Sequence, residues 1–384
     1  MNLHAILIWF LGALVVLPSL IWWLGIVRWR IKKTASASAE CLPFVSVIVA
    51  GKNEEDYIGD CLKSIVKSDY PSDSLELVFV DDHSADKTLQ IAEATVADSI
   101  IKAVILSAPD EPRHMGSKKR ALAHAVAHAQ GEILLFTDAD NRVPSGWLRA
   151  MAVCFHAETG AVLGAAIPQS GGSLGAFLYR LERIMVALTS AAPIGWGLPG
   201  SACGQNLSLR KSAFEEIGGH AHSVIPSGDD DLTVQAMARS GWKVAFAGSP
   251  HSVVFDARQP SLRSHRHATT RHQSVTRFYP VQWRLLYAFS ILSGLLLTAW
   301  LCFGISVGNL SATFWYILGT KLLIDSSTLI IFTKRLAVRI SIGDLIAAHI
   351  LLPVYQIVRP LFSLRTGYRW RSETPLRSDG ALSK

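Results

Sequence analysis

Gly131-Glu132-Ile133-Leu134-Leu135-Phe136-Thr137-Asp138-Ala139-Asp140 is an apolar run that ends abruptly in two carboxylates. A short apolar run bounded by a turn signal reads as a buried strand. Asp138 and Asp140 then fall just past its end, where a sheet opens to solvent. Strand alternation points their side chains the same way. Two hard oxygen ligands on one side can hold Mg²⁺ or Mn²⁺, metals that commonly share their shell with substrate phosphates. A lone Asp-X-Asp is more readily a solvated turn, so the surrounding sequence must decide.

Working outward, residues from about 43 to 270 alternate strand and helix patterns. Val45–Ala50, Leu75–Val80, Val104–Leu106, Ile133–Phe136, Val162–Ala165 and Val244–Ala247 read as strands. Asp56–Ser68, Lys87–Ala97 and Lys118–Gln130 read as helices between them. This order predicts an α/β fold with a mostly parallel sheet covered by helices. Ligands of such sheets bind outside the carboxyl ends of the strands. Asp81, Asp82, Asp138 and Asp140 all fall at those ends.

The ends of the chain differ in kind. Half the residues are hydrophobic and only 17% are charged, which is low for a wholly soluble protein. The apolar excess sits at the two ends. His4 to Val27 carries no Asp, Glu, Lys or Arg and is long enough to span a bilayer. With no basic segment before it and no clear cleavage site after it, it reads as a retained anchor. Arg28, Arg30, Lys32 and Lys33 follow at once, which places the N-terminus outside and the next domain in the cytoplasm. The expected organisation is an anchor with its basic flank (1–33), a linker (34–42), a catalytic domain (43–280), a membrane region (281–358) and a basic cytosolic tail (359–384). A bacterial inner membrane is the expected location.

The second membrane block contains Leu285–Val307, Ala312–Phe332 and Ile340–Val358. Lys321 and Asp325 stand one helical turn apart and are expected to pair. If all three segments span, the tail with Arg359, Arg365, Arg369, Arg371 and Arg377 lies outside, against the positive-inside rule. Ile340–Val358 also holds Asp344, His349 and Pro353, so it is expected to be interfacial or re-entrant rather than spanning.

The net charge of +7 is clustered beside the apolar runs, which suits a membrane surface better than nucleic acid. The five cysteines lack CxxC spacing and give neither a zinc site nor a disulfide framework. A reducing, cytosolic setting follows for the soluble part.

Several motifs follow one another in a fixed order. Val45-Ser46-Val47-Ile48-Val49-Ala50-Gly51-Lys52-Asn53-Glu54-Glu55 comes first, then Asp81-Asp82 closing the second strand. Gly116-Ser117-Lys118-Lys119, the Asp138-Ala139-Asp140 pair, Gly204-Gln205-Asn206-Leu207 and Ser227-Gly228-Asp229-Asp230-Asp231-Leu232 complete the series. In this order and spacing they resemble glycosyltransferase family 2, membrane-bound branch, whose catalytic domain has the GT-A fold. The resemblance covers about residues 43 to 280.

The resemblance implies a role for each site. Asp81 and Asp82 would bind the base and ribose of a nucleotide-diphosphate sugar, as carboxylates suit N–H and hydroxyl donors. A cap for the helix near Lys87 is the bland reading, and Ser84 or Asp86 serves it better. Asn53 and Glu55 would lie near the nucleotide, while Glu54 is expected to face solvent. Lys118 and Lys119 open a helix, whose N-terminus with a lysine makes a diphosphate site. One of the two is expected to be merely solvated. Asp138 would reach the ribose or phosphate side, and Asp140 would be the direct ligand of Mg²⁺ or Mn²⁺. An inverting transfer also needs a base for the acceptor hydroxyl. Gly228-Asp229-Asp230 read as the family's Gly-Asp-Asp makes Asp230 the base; anchoring on Leu232 makes it Asp229. Repulsion within the cluster favours a raised pKa for one member. Asp231 fits an acidic helix start. Gly204, Gln205 and Asn206 would line the acceptor side, although the Asn can equally cap a turn.

One departure stands out. Many membrane-bound relatives carry Gln-X-X-Arg-Trp before the second membrane block, and here the stretch reads His272-Gln273-Ser274-Val275-Thr276-Arg277-Phe278. Arg277 still suits a diphosphate. The missing Gln and Trp argue against a processive polysaccharide synthase. His265, His267 and His272 fit no helix face or metal motif and read as an interfacial basic stretch. Ser173 to Trp196 is either an amphipathic helix at the membrane surface or a core-packed one.

The expectation is a membrane-anchored, metal-dependent, inverting glycosyltransferase. It would use a nucleotide-diphosphate sugar and a lipid or lipid-linked acceptor. A polysaccharide synthase of the same family is the alternative. A transporter is disfavoured by the absence of an internal repeat. A non-catalytic scaffold is disfavoured by carboxylates at every strand end.

Overall fold

The computed structural model describes residues 3–29, 42–110, 116–169, 173–222, 230–258 and 279–350. Asp229, Arg277, the histidines at 265, 267 and 272, most of the linker and everything after residue 350 lie outside the described residues.

Helix α1 (Leu3–Arg28) leads into a domain of alternating elements. In order these are β1 (Val45–Gly51), α2 (Ile58–Val66), β2 (Leu75–Asp81), α3 (Thr88–Val96), β3 (Lys102–Ser107), α4 (Ser117–His128), β4 (Ile133–Asp138) and β5 (Asn141–Arg142). Next come α5 (Trp147–Ala152), β6 (Thr159–Leu163), α6 (Leu174–Ile194), β7 (Leu207–Arg210), α7 (Lys211–Glu216), α8 (Asp231–Arg239), β8 (Lys243–Phe246) and β9 (Phe255–Asp256). Two long helices, α9 (Val281–Ser306) and α10 (Ala312–Arg335), follow. Residues 342–350 are also helical.

Seven strands form one sheet in the order β3-β2-β1-β4-β7-β6-β8. Strands β1, β2, β3 and β4 are parallel, as are β6 and β8, while β7 runs antiparallel to both its neighbours. The sheet is therefore mostly parallel, as the sequence predicts. The short strands β5, β7 and β9 were not predicted. They are two to four residues long, which is too short for a period to show.

Both faces of β1 and β2 are buried, because helices cover the sheet on both sides. Val45, Val47 and Val49 pack with Cys61, Leu62 and Ile65 of α2 on one face. Ile48, Val78, Leu134 and Phe136 pack with α4 and α6 on the other. That second core also takes in Ile26 and Trp29 from the end of α1 and Phe332 from the end of α10. The Trp29 indole N–H donates to the Phe246 carbonyl (3.1 Å), so the first long helix is fastened to strand β8.

Among the described residues, three helices are long and apolar enough to cross a membrane: α1, α9 and α10. Their outward side chains, including Phe10, Leu285, Leu292, Phe303 and Leu323, are exposed and apolar. The expected Lys321–Asp325 pair forms at 3.0 Å, and Lys321 also donates to Ser19 of α1 (2.7 Å). Helix α6 resolves into the core-packed alternative. Its Ile184, Ala187, Leu188 and Ala191 are buried in the core cluster with the sheet, and its C-terminus abuts α1.

Candidate active site

The strand order creates the site. The chain winds outward from β1 to β2 and β3, then returns to place β4 on the other side of β1. A crevice opens at such a reversal, beyond the carboxyl ends of the strands. The register pairs Gly51 with Asp81 and Ala50 with Asp138, so two of the predicted carboxylates flank the end of β1 at one level.

Asp81 and Asp82 are 5% exposed. Asp81 Oδ2 accepts the Ser84 N–H (3.0 Å), while its Oδ1 is buried with no hydrogen-bond partner. Asp82 faces Lys52 at 3.7 Å and the unpredicted Arg120 at 4.0 Å. The next helix is served locally by Asp86, which accepts the Thr88 N–H (3.0 Å), as the sequence suggests.

Asn53 and Glu55 work between loops. Asn53 adopts φ 56° and accepts the Ala85 N–H (2.8 Å); Glu55 accepts the Lys87 N–H (3.1 Å). These bonds staple the loop after β1 to the loop after β2. Glu54 departs from expectation: it turns inward and pairs with Arg258. Burial pushes its carboxyl above the usual carboxylate range, against the pull of Arg258.

The two lysines divide. Lys118, in the first turn of α4, reaches Asp138 Oδ1 at 2.6 Å. Lys119 is 2% exposed and lies inside the protein, while Lys118 faces the cavity, so neither is the merely solvated lysine that the sequence left open. Helix α4 begins at Ser117, and its N-cap Gly116 offers no side-chain cap, so no cap side chain takes up the first N–H groups of the helix that carries Lys118.

Asp138 is the last residue of β4 rather than a residue past it. Asp140 is 3% exposed. One of its carboxylate oxygens, Oδ2, is paired with Arg258, and the other, Oδ1, is buried with no hydrogen-bond partner. Burial, and after it the charge of Asp138, pushes the Asp140 carboxyl up to about 7. A buried, unsatisfied carboxylate oxygen beside a second carboxylate is what a hard divalent cation fits. No cluster of three or more His, Cys, Asp or Glu that could hold a metal converges among the described residues.

Across the crevice, Asp230 caps α8 and accepts the Asp231 N–H with Oδ1 (2.8 Å). Its Oδ2 accepts the Gly204 N–H (2.8 Å). Asp231 stands at the helix start as expected, but it is buried and accepts the Ala202 N–H (2.6 Å). Lys118, Asp138, Gly204, Asp230 and the unpredicted His220 line one cavity. His220 is packed edge-on against Phe136 and Phe214.

The Gly204-Gln205-Asn206 expectation needs correction at its last residue. Asn206 is fully buried. Its amide donates to the Ala165 and Ser252 carbonyls (2.8 and 2.7 Å), and its Oδ1 accepts the Trp147 indole N–H (3.0 Å). It braces three segments and cannot line an acceptor groove. Gln205 donates to Asp256 (3.2 Å), which also accepts from the Tyr179 hydroxyl and the Arg258 N–H. Arg258, the cation that joins Glu54 to Asp140, had no signal in the sequence, because its partners lie more than a hundred residues upstream.

A mostly parallel seven-stranded sheet with carboxylates at the ends of β2 and β4 defines a GT-A-type fold. A solved mannosyltransferase, PcManGT from Pyrobaculum calidifontis in complex with GDP-Man and Mn²⁺, shares it with a TM-score of 0.58. The alignment covers 95% of this chain and 99% of that one at 21% identity, a likeness of fold alone. Residues 46–218 match the family model described as Glycosyl transferase family 2, and the chain carries a domain of that family. It is 28% identical over 210 residues to the probable glycosyltransferase YdaM of Bacillus subtilis, covering 53% of this chain and 49% of that protein. It is 29% identical over 219 residues to the beta-monoglucosyldiacylglycerol synthase of Synechocystis, covering 56% of this chain and 45% of that protein. The chain thus spans about half the length of these curated relatives.

Proposed function

We propose that this chain is a membrane-held, inverting glycosyltransferase. It moves a sugar from a nucleotide-diphosphate sugar to a hydroxyl of a lipid or lipid-linked acceptor. The observation that carries the reading is the buried, unsatisfied Oδ1 of Asp140 at a sheet reversal, two residues after Asp138, whose own carboxylate meets the lysine of a helix N-terminus. The lipid acceptor is supported by the three long apolar helices and by the name of the Synechocystis relative. The basic residues after α1 support a cytoplasmic catalytic domain, with a bacterial inner membrane as the setting.

In this reading Asp81 and Asp82 take base and ribose donors, with Asn53 and Glu55 holding the two loops that frame them. Lys118 leaves Asp138 for the diphosphate. Asp140 holds Mg²⁺ or Mn²⁺ with Asp138 beside it; the bound ion supplies positive charge against the leaving diphosphate. Asp230 takes the proton of the acceptor hydroxyl as that oxygen attacks the anomeric carbon and the bond to the diphosphate breaks. Its two backbone N–H contacts fix the plane of the carboxylate. Asp229 and Arg277 keep their proposed places as the alternative base and a diphosphate contact.

The test incubates membranes holding the protein with labelled UDP- and GDP-sugars, with and without Mn²⁺, and extracts the lipids. Label in the lipid fraction, lost with chelator and with Asp140→Asn, is expected. Unchanged turnover in Asp140→Asn would overturn the reading.

A further inference from the structure

The Asp230–Asp231 pair is connected to the membrane region. Asp231 Oδ1 accepts two donors, the Ala202 N–H at 2.6 Å and the Tyr279 hydroxyl at 2.8 Å. Asp230 accepts from Gly204 of the same loop and from the backbone N–H of Asp231 itself. The two carboxylates therefore grip one loop, residues 202–204, at two points, and Tyr279 grips Asp231 from the other side. Asp231 is 2% and Tyr279 7% exposed. A hydroxyl bonded to a buried carboxylate is a strong, directional contact.

Tyr279 stands two residues before α9, the first long apolar helix after the domain. It packs with Leu232 of α8 and with Tyr287 of α9. The start of α9 is fastened in turn to α1. Trp283 stacks on Trp22, and the Trp22 indole N–H donates to Ser290 (3.0 Å). A continuous line of contacts thus runs from two candidate spanning helices, through one tyrosine hydroxyl, to the carboxylate next to Asp230.

We propose that Tyr279 is a positioning residue for the base. It holds Asp231, and through Asp231 the backbone of Asp230, at the distance from the crevice that the seat of α9 dictates. The inference rests on the reading of Asp230 as the base. A general base works only within hydrogen-bond reach of its proton, and a displacement of about 1 Å can cost about a hundredfold in rate. Among the described residues Tyr279 meets Asp231, Leu232 and Tyr287 and none of the side chains proposed for the donor, so its hydroxyl is expected to matter to the chemical step more than to nucleotide affinity.

The experiment uses the full chain in detergent with the nucleotide sugar that the donor panel selects, following nucleoside diphosphate release. Tyr279→Phe removes one oxygen and keeps the ring. It is expected to lower kcat by roughly tenfold to a hundredfold, with KM and Kd for the nucleotide sugar unchanged within about twofold. In an Asp230→Asn background the same change is expected to add no further loss, because the two residues act as one unit. Tyr70→Phe, which removes a buried hydroxyl bonded to Pro43 at the far end of β1, serves as the control and is expected to keep wild-type kcat. Wild-type kcat in Tyr279→Phe, with Asp230→Asn inactive, overturns the positioning role while the base reading stands. Full activity in Asp230→Asn overturns the base reading itself. A parallel fall of kcat, donor affinity and Tm in Tyr279→Phe would mean ordinary structural support and also overturns the proposal.

Discussion

Arg258 pairs with one carboxylate oxygen of Asp140, while the other oxygen of the same group is buried without a hydrogen-bond partner. The guanidinium also holds Glu54, so one arginine bridges the buried Asp140 and the half-buried Glu54 and its single charge is shared between them. A divalent cation arriving at Asp140 must share that carboxylate with Arg258.

Removing the competitor should therefore strengthen cation binding. Arg258→Ala is expected to bind Mn²⁺ on the order of tenfold more tightly without nucleotide, and Asp140→Asn to bind it more weakly, by calorimetric titration. Weaker binding in Arg258→Ala would show that the arginine builds the site instead of guarding it.

The protonation of Asp140 has a consequence for stability. Its folded-state value of about 7 lies above the ordinary 3.8, so the folded protein keeps a proton that the unfolded chain releases between those limits. Stability contributed by that proton is complete below about pH 4 and lost as pH rises through 7. Asp140→Asn should raise Tm at pH 8 in metal-free buffer, and the gap should be smaller at pH 5 and close only near pH 4. An equal gap at both pH values would contradict the assignment.

At the opposite end of the sheet, Glu76 is fully buried and accepts from Ser46 (2.6 Å), Lys102 (2.8 Å) and the Gln130 N–H. Burial alone would raise its pKa, but these donors outweigh burial and hold it below the ordinary 4.5. The stabilisation is present above 4.5 and lost as pH falls through the depressed value. Glu76→Gln should cost about 1–3 kcal/mol at pH 7 and less toward pH 3, measured by chemical denaturation. Donor turnover per folded molecule should be unaffected.

Asn206→Ala strips partners from two buried carbonyls and an indole N–H. A loss of about 2–4 kcal/mol in stability is expected, with KM for acceptor unchanged in the folded fraction. A selective rise in acceptor KM would restore the acceptor-side role that its burial denies.

The seat of α1 on α6 depends on two glycines. A Cβ on Gly195 would lie 1.9 Å from the Gly25 carbonyl oxygen, and one on Gly25 would lie 2.5 Å from the Ala192 carbonyl oxygen. Backbone atoms cannot give way cheaply, so Gly195→Ala should cost roughly 1–3 kcal/mol, read as a lower Tm in detergent. An unchanged Tm would mean that α1 is not held against the domain there.

The sequence by itself determined the strands that carry their own period or apolar length, the carboxylates that end them, and the apolar segments at both ends. These are local properties: Ile133 to Phe136 is a strand whatever surrounds it, and Asp138 must then stand at its end. It also ordered the motifs well enough to point to the family. Tertiary structure decided which side chains meet. Strand β7 is four residues long and owes its antiparallel place to β4 and β6, not to its own pattern. Lys118 and Lys119 are neighbours of one type, yet one reaches Asp138 and the other is buried, because successive helical residues face different ways. Glu54 turned inward because Arg258 waits there, and Asn206 became a brace because three unrelated segments converge on it. Contacts made across such sequence distances leave no local period, and only the closed sheet brings them within bonding range.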